Sequence, residues 1–306
     1  MHFTKYHGSG NDFILIDNRQ NHWSDFLTQH QNQSIITEHI PTNNKTYSKE
    51  NITVYELCHR NFGIGADGLM LLQLSELADF EMVYFNSDGH LSSMCGNGGR
   101  CIAHFAAIHG LGKRNNGKTE LTFTAPDGIH HAVIDLSTNW VELSMNPVSE
   151  IQHSVNFPQA WVLNTGSPHF VEFLREKPMD LIQAFRETEA FVRWGKSIRF
   201  NEEFAETGIN VNLVNELSQN QISIRTYERG VENETLSCGT GITAAAIAYH
   251  LQSSIQSEIK TEQTPPVVIE VKSRGGDLTV HFETSNHNYH NIILAGPAVS
   301  VFNAEL

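Results

Sequence analysis

No stretch of the 306 residues approaches 18 uninterrupted apolar positions, so no helical membrane span is expected. The opening Met1-His2-Phe3-Thr4-Lys5 runs on into His, Gly and Asp and lacks the apolar core of a secretory signal. Basic residues are scarce. Against 34 Asp and Glu stand 20 Lys and Arg, giving a formal net charge of −14. Nucleic-acid binding needs clustered cations against phosphate, so that class of partner is not expected. Cysteine is sparse as well. Cys58, Cys95, Cys101 and Cys238 include no Cys-x-x-Cys pair, which removes zinc-ribbon and thioredoxin-type readings. So few cysteines in so long a chain do not build a disulfide scaffold, and a reducing cytoplasm is the expected compartment. There is no His-Glu-x-x-His among the 17 histidines. His130, His131, His287 and His290 read as surface residues of loops and turns, and no metal is expected. What the chain does have is 40% apolar and 18% charged residues, enough for a folded core in one large domain or two ordinary ones.

The sequence reads twice. Gly8-Ser9-Gly10-Asn11-Asp12-Phe13 precedes an apolar run, and so does Thr165-Gly166-Ser167-Pro168-His169-Phe170. Tyr84-Phe85-Asn86-Ser87-Asp88-Gly89 leads to Met94-Cys95-Gly96-Asn97-Gly98, as Thr226-Tyr227-Glu228-Arg229-Gly230 leads to Ser237-Cys238-Gly239-Thr240-Gly241. Val141-Glu142-Leu143-Ser144-Met145-Asn146-Pro147 is echoed by Ile292-Ile293-Leu294-Ala295-Gly296-Pro297. Three pairs in the same order, spaced by about half the chain, predict an internal duplication into two similar α+β domains facing each other. The expected domains are 1–147 together with 298–306, and 148–297.

Local patterns agree. Phe80–Phe85 is a compact apolar run of buried-strand type. Leu121–Ala125, Ile129–Leu136 and Trp140–Met145 read as strands parted by Pro-Asp-Gly and Ser-Thr-Asn turns. Val267–Lys272 and Leu278–Phe282 pair across a Gly-Gly turn. After each cysteine loop the texture becomes helical, with Cys101, Ile102, Phe105, Ala106 and Ile108 in one half and Thr243–Ala248 in the other. A further helix is predicted over Met179 to about Trp194, and residues 20–55 read as a polar surface insertion. Gly63-Ile64-Gly65-Ala66-Asp67-Gly68 fits a dinucleotide fingerprint, but it follows a helix and precedes a strand, the reverse of what that fingerprint requires.

Each of Cys95 and Cys238 therefore sits at a strand–loop–helix junction. A helix N-terminus offers unpaired N–H groups and the positive end of its dipole, and neighbouring glycines let a ligand reach the backbone. Two such ends would clamp one carboxylate. The same field favours thiolate over thiol, whose pKa starts near about 8.5. Inversion at a Cα needs a base on one face and an acid on the other, and two matched thiols supply both. The carboxylate gathers charge as the carbanion forms, so its stabilisation grows in the transition state. A lone cysteine is more often a small core hydrophobe. That reading stands for Cys58 and Cys101, while the repeated glycine-rich context sets Cys95 and Cys238 apart. Glu228-Arg229 reads either as an exposed ion pair or as part of the site.

These residues also carry a family resemblance. His7-Gly8-Ser9-Gly10-Asn11-Asp12-Phe13, Phe85-Asn86-Ser87-Asp88-Gly89, the two cysteine loops, Gly208-Ile209-Asn210 and Arg225-Thr226-Tyr227-Glu228-Arg229-Gly230 resemble diaminopimelate epimerases over nearly the whole chain. The resemblance implies two pseudo-symmetric domains, each a curved, mostly antiparallel sheet or barrel around a central helix, with the active site in the cleft between them. It implies interconversion of LL- and meso-2,6-diaminopimelate for lysine and peptidoglycan precursors, with no pyridoxal phosphate or other cofactor, in a cytoplasmic homodimer. Cys95 and Cys238 would be catalytic, and His169 and Glu228 would tune them. Gly96, Asn97, Gly239 and Thr240 would hold the reacting carboxylate; Asn11, Asn86, Ser167, Asn210, Glu228 and Arg229 would bind the rest of the substrate. Some members have Gln where Gly68 stands and Asn where Ser167 stands; Gly68 can bind nothing through a side chain, while Ser167 keeps one hydroxyl. A proline-racemase type of two-thiol enzyme, or a non-catalytic zwitterion-binding module, is the alternative.

Overall fold

The computed structural model describes residues 1–29, 46–174, 179–256, 266–285 and 288–306. They divide into two compact units, Met1–Val141 with Pro297–Leu306, and Glu142–Gly296. The first contains β1 (His2–Gly8), β2 (Asn11–Asp17), α1 (His22–Gln29), α2 (Lys49–Cys58), β3 (Gly68–Gln73), β4 (Phe80–Asn86), α3 (Gly96–Ile108), β5 (Lys113–Asn115), β6 (Lys118–Ala125) and β7 (Gly128–Asp135). The boundary falls in β8 (Trp140–Met145). The second unit runs through β9 (Ile151–His153), β10 (Trp161–Asn164), β11 (Pro168–Phe173), α4 (Met179–Arg186), α5 (Thr188–Arg199), β12 (Asn210–Ser218), β13 (Gln221–Glu228), β14 (Asn233–Thr235), α6 (Gly239–Gln256), β15 (Val267–Ser273), β16 (Gly276–Ser285) and β17 (Asn288–Pro297). The last strand, β18 (Val299–Glu305), returns to the first unit and pairs antiparallel with β1.

The duplication is visible in the pairing. In the first unit β1/β2 is antiparallel, β2/β3 parallel, β3/β4 antiparallel, β4/β6 parallel and β6/β7 antiparallel. In the second, β10/β11, β11/β12, β12/β13, β13/β15 and β15/β16 repeat that alternation in the same order. Each unit wraps its strands around one helix. α3 touches β1, β2, β3, β6 and β7, and α6 touches β10, β11, β12, β13, β15 and β16. A helix surrounded by sheet must be apolar on every side. Accordingly Cys101–Ala107 of α3 and Ile242–Ala248 of α6 are buried throughout. No helix among the described residues is long and apolar enough to cross a membrane.

Three expectations need correction. The helix expected from Met179 is two helices, because Glu187 adopts an extended backbone (φ −115, ψ 126) and starts α5 afresh. Residues 20–55 are not simply a surface insertion. Trp23 and Phe26 of α1 and Val54 and Cys58 of α2 join Ile14, Ile16, Leu69 and Leu71 in the core of the first unit; residues 30–45 lie outside the described residues. His130 is only 1% exposed, because strand alternation on β7 turns it inward between the outward Ile129 and His131, where it stacks on Phe123 and pairs with Asp127. His287 lies outside the described residues.

Candidate active site

Cys95 ends the loop after β4 and is the N-cap of α3. Its extended backbone (φ −121, ψ 118) turns the sulfur back over the first turn, where it accepts from the Gly98 N–H at 3.5 Å. Gly98 lies tight against β3, since a Cβ there would overlap the Met70 methyl and force that side chain to move. That contact seats the first turn of α3 on the sheet. The Cys95 thiol donates to Asn11 Oδ1 at 3.6 Å. Asn11 is itself oriented from behind, because its Nδ2 donates to Asp67 Oδ2 at 2.6 Å. Asp67 also accepts from the Asp12 N–H and pairs with Arg60, which bridges to Asp12; Lys5 closes the cluster. Burial would raise the Asp12 carboxyl, but hydrogen bonds and charge from Arg60 and Lys5 outweigh it and hold Asp12 down at about 2. Burial and the neighbouring Asp12 push Asp67 upward. Asn97 is fully buried in the first turn and Arg100 reaches back to it. Asn86 closes β4 opposite Gly68. A Cβ on Gly68 would run into the Phe85 carbonyl and the Tyr84 ring, so that ring occupies the space a larger residue would need.

In the second unit Cys238 stands directly before α6, and its carbonyl accepts from the Ile242 N–H at 2.9 Å. Its sulfur lies 3.4 Å from Thr240 Oγ1. Thr240 Oγ1 is 2.8 Å from His169 Nε2 and 3.1 Å from Ser167 Oγ. On the other side of the ring, Asn212 Nδ2 lies 3.1 Å from His169 Nδ1 and also donates to the Phe170 carbonyl at 2.9 Å. Asn212 Oδ1 accepts from Thr226 Oγ1, so the amide is fixed with its N–H groups toward the imidazole. His169 Nδ1 is therefore an acceptor and Nε2–H a donor, with Thr240 Oγ1 at 2.8 Å and Ser167 Oγ at 3.0 Å both in reach. His169 is 0% exposed, and burial, helped by the charge of Arg229, pushes its imidazole down to about 3. It is neutral at pH 7, and Thr240 Oγ1 lies between its Nε2 and the Cys238 sulfur. Gly241 is held to glycine by the same cluster, as a Cβ there would lie 2.7 Å from Asn212 Oδ1.

Asn210 ties the outer parts together. Its Nδ2 donates to Ser167 Oγ and the Pro168 carbonyl, and its Oδ1 accepts the Arg229 N–H. Glu228 ends β13, and exposed Arg229 follows it with Nη1 on the Thr207 carbonyl. Thus Asn11, Gly96 and Asn97 gather around Cys95, while Ser167, His169, Asn210, Gly239 and Thr240 gather around Cys238. Cys58 and Cys101 are buried, and burial pushes the Cys58 thiol up to about 12. The two clusters also draw on Asp67, Arg100 and Asn212, which the sequence motifs do not single out. Asn212 alternates with Asn210 on β12, a polar pair at strand spacing that could have pointed to it. A hollow of ≈ 1010 Å³ opens elsewhere in the first unit, against α1, β1 and β18, and no site residue lines it.

The fold, with a cysteine before each of the two repeated buried helices, is one that solved racemase, epimerase and isomerase structures share. It is shared with a probable proline racemase from Agrobacterium radiobacter K84 (TM-score 0.63, 15% identity, covering 100% of this chain and 92% of that one). A hydroxyproline epimerase from Agrobacterium vitis is similar (TM-score 0.62, 15% identity, 99% and 91% covered). The diaminopimelate epimerase family model matches residues 3–149 and 161–301. Diaminopimelate epimerases from Flavobacterium psychrophilum (42% identity, 99% of this chain and 98% of that one) and Chlorobaculum tepidum (38% identity, 96% and 97%) align almost end to end. The chain belongs to the diaminopimelate epimerase family and is an isomerase.

Proposed function

We propose that the protein interconverts LL- and meso-2,6-diaminopimelate by a two-base proton transfer in which Cys95 and Cys238 serve opposite faces of one Cα. The carrying observation is that each cysteine stands at the start of the buried helix of its unit, with a dedicated set of hydrogen-bond partners. In the LL-to-meso direction the Cys238 thiolate removes the α-proton and the Cys95 thiol returns one; the roles exchange in reverse. The reading requires both sulfurs to reach the same carbon when substrate is bound. Gly96, Asn97, Gly239 and Thr240 hold the reacting carboxylate on helix-end N–H groups, where negative charge grows as the carbanion forms. Glu228 and Arg229 offer an anion and a cation to the ammonium and carboxylate of the distal end, helped by Asn11, Asn86, Ser167 and Asn210. His169 supports the Cys238 thiolate as a neutral donor through Thr240. No cofactor enters these steps. The same reading assigns the reaction to lysine and peptidoglycan precursor synthesis, in a cytoplasmic homodimer.

Deuterium incorporation tests the mechanism. At early times in deuterated water, label should build up in the product epimer ahead of the unreacted substrate. Equal labelling of both pools from the first turnover would mean a single exchanging base. Cys95→Ala and Cys238→Ala should each abolish epimerisation, and activity should survive EDTA. Turnover of proline with diaminopimelate inert would reassign the substrate and leave the two-thiol chemistry intact.

A further inference from the structure

Arg100 is a cation set inside the protein with no carboxylate paired to it among the described residues. It is 0% exposed. It lies one turn into α3, and its guanidinium folds back over the helix start. Nη2 donates to Ser9 Oγ at 3.2 Å and to Asn97 Oδ1 at 3.1 Å, and Nη1 to the Gly96 carbonyl at 3.5 Å. All three acceptors are neutral, and the buried Nε has no partner. Other cations of the structure are treated differently: Lys5 and Arg60 share Asp12, and buried Arg225 pairs with Glu234. Among the described residues the ionisable groups acting on Arg100 are Cys95 and Cys101 alone, and burial pulls the guanidinium down to about 10.

An unpaired buried ion costs several kcal/mol of desolvation, so a position that keeps one needs another reason for it. Cys101 cannot balance it, because burial pushes that thiol far above its ordinary range. The buried or half-buried ionisable groups on the strands packed against α3 include Lys5, Tyr6 and His7 of β1, Asp12 of β2, and His130 of β7, which pairs with Asp127. Tyr6 is also pushed upward by burial and stays protonated, and Asp12 is tied to Lys5 and Arg60. There remain the Cys95 sulfur and any anion that reaches the first turn of α3. A guanidinium can only donate, so it also fixes Asn97 with Oδ1 inward and Nδ2 turned the other way.

We propose that Arg100 is a positioning residue that supplies a fixed positive charge beneath the first turn of α3, holding Cys95 as thiolate when it is the base and drawing a carboxylate to that turn. This rests on Cys95 being one of the two bases. The test uses the full chain in a Cys238→Ala background and follows carbamidomethylation of Cys95 against pH by peptide mass spectrometry. Three replacements separate charge from hydrogen bonding: Arg100→Lys keeps the charge, Arg100→Gln keeps N–H donors without it, and Arg100→Met has neither. With Arg100 in place the alkylation midpoint should fall below the ordinary thiol value of about 8.5. The Lys variant should alkylate within about threefold of the parent at pH 7, and the Gln and Met variants at least roughly tenfold more slowly, a tenfold loss being about 1.4 kcal/mol. An unchanged or raised melting temperature in the Met variant supports a charge role over a folding role, because apolar replacement of a buried ion is often neutral or stabilising. Gln or Met alkylating as fast as Lys overturns the proposal. Should those two fail to fold, a parent midpoint at or above about 8.5 overturns it instead. No arm uses diaminopimelate. Failure of substrate turnover would sink the proposed function and leave this comparison standing, while equal alkylation would remove the Arg100 role and leave the epimerase.

Discussion

Replacing Thr240 with Val should silence Cys238 without disturbing the fold. The Thr240 hydroxyl lies 3.4 Å from the sulfur and accepts from His169 Nε2–H at 2.8 Å, which leaves its own hydrogen to point at the sulfur or at Ser167. A hydrogen bond to a charged partner is worth about 1.5–3 kcal/mol. Each ~1.4 kcal/mol is a factor of ten in the thiolate fraction, so losing this donor should cut that fraction by roughly ten- to a hundredfold near neutral pH. Valine matches threonine in shape, and the backbone bond from Thr165 Oγ1 to the Thr240 carbonyl survives. The assay is the carbamidomethylation rate of Cys238 at pH 7 in a Cys95→Ala background, with Thr240→Ser as the control that keeps the hydroxyl. The Ser variant should stay near the parent. A natively folded Val variant that alkylates as fast as the parent would refute the relay from His169 through Thr240 to the sulfur.

Further outcomes follow from the same contacts. Asn212→Asp puts an acceptor against His169 Nδ1, reversing the tautomer so that Thr240 donates to the ring instead of the sulfur; kcat should fall far more than KM rises in steady-state assays. His169 titrates at about 3 when folded and near about 6.5 when unfolded, so the unfolded chain binds the extra proton between those values. Its contribution to stability is therefore complete above about 6.5 and lost as pH falls toward 3, with a slope of up to ~1.4 kcal/mol per pH unit. Urea melts at pH 7 and pH 5 should show a shallower loss in His169→Gln than in the parent, and equal losses would contradict a buried neutral ring. Gly98→Ala should destabilise by about 1–3 kcal/mol in urea melts through overlap with Met70, and a smaller residue at Met70 should recover part of it.

Much of this could be read from the chain, and for local reasons. The cysteine loops, their glycines and the helices behind them are contiguous, and so are the β-strands that alternate or run apolar. The duplication shows because both copies kept the same turn chemistry. What escaped depended on partners distant in sequence. Arg100 looks like an ordinary helix cation until its burial is known, and Asp67 sits in a glycine-rich segment whose role emerges only when Asn11 is beside it. Asn212 matters through His169, which lies on the neighbouring β11. Polarity alone puts His130 outward, yet strand alternation on β7 turns it inward against Phe123. The end of α4 at Glu187 carries no Gly or Pro to announce it.

The pairing of β18 with β1 has a consequence in time. β1 is made first and its partner last, and about 160 residues separate Val141, where the body of the first unit ends, from Glu305. At roughly 5–20 residues per second of synthesis, β1 keeps one edge open for on the order of 8–30 seconds after the body of the first unit is made. During that interval the second unit can already close, since Glu142–Gly296 is continuous and contains all of its own strands. The half of the protein that begins first is thus the half that finishes last, and a chain released before Val299 leaves β1 an unpaired edge, the kind of surface on which strands from other chains add.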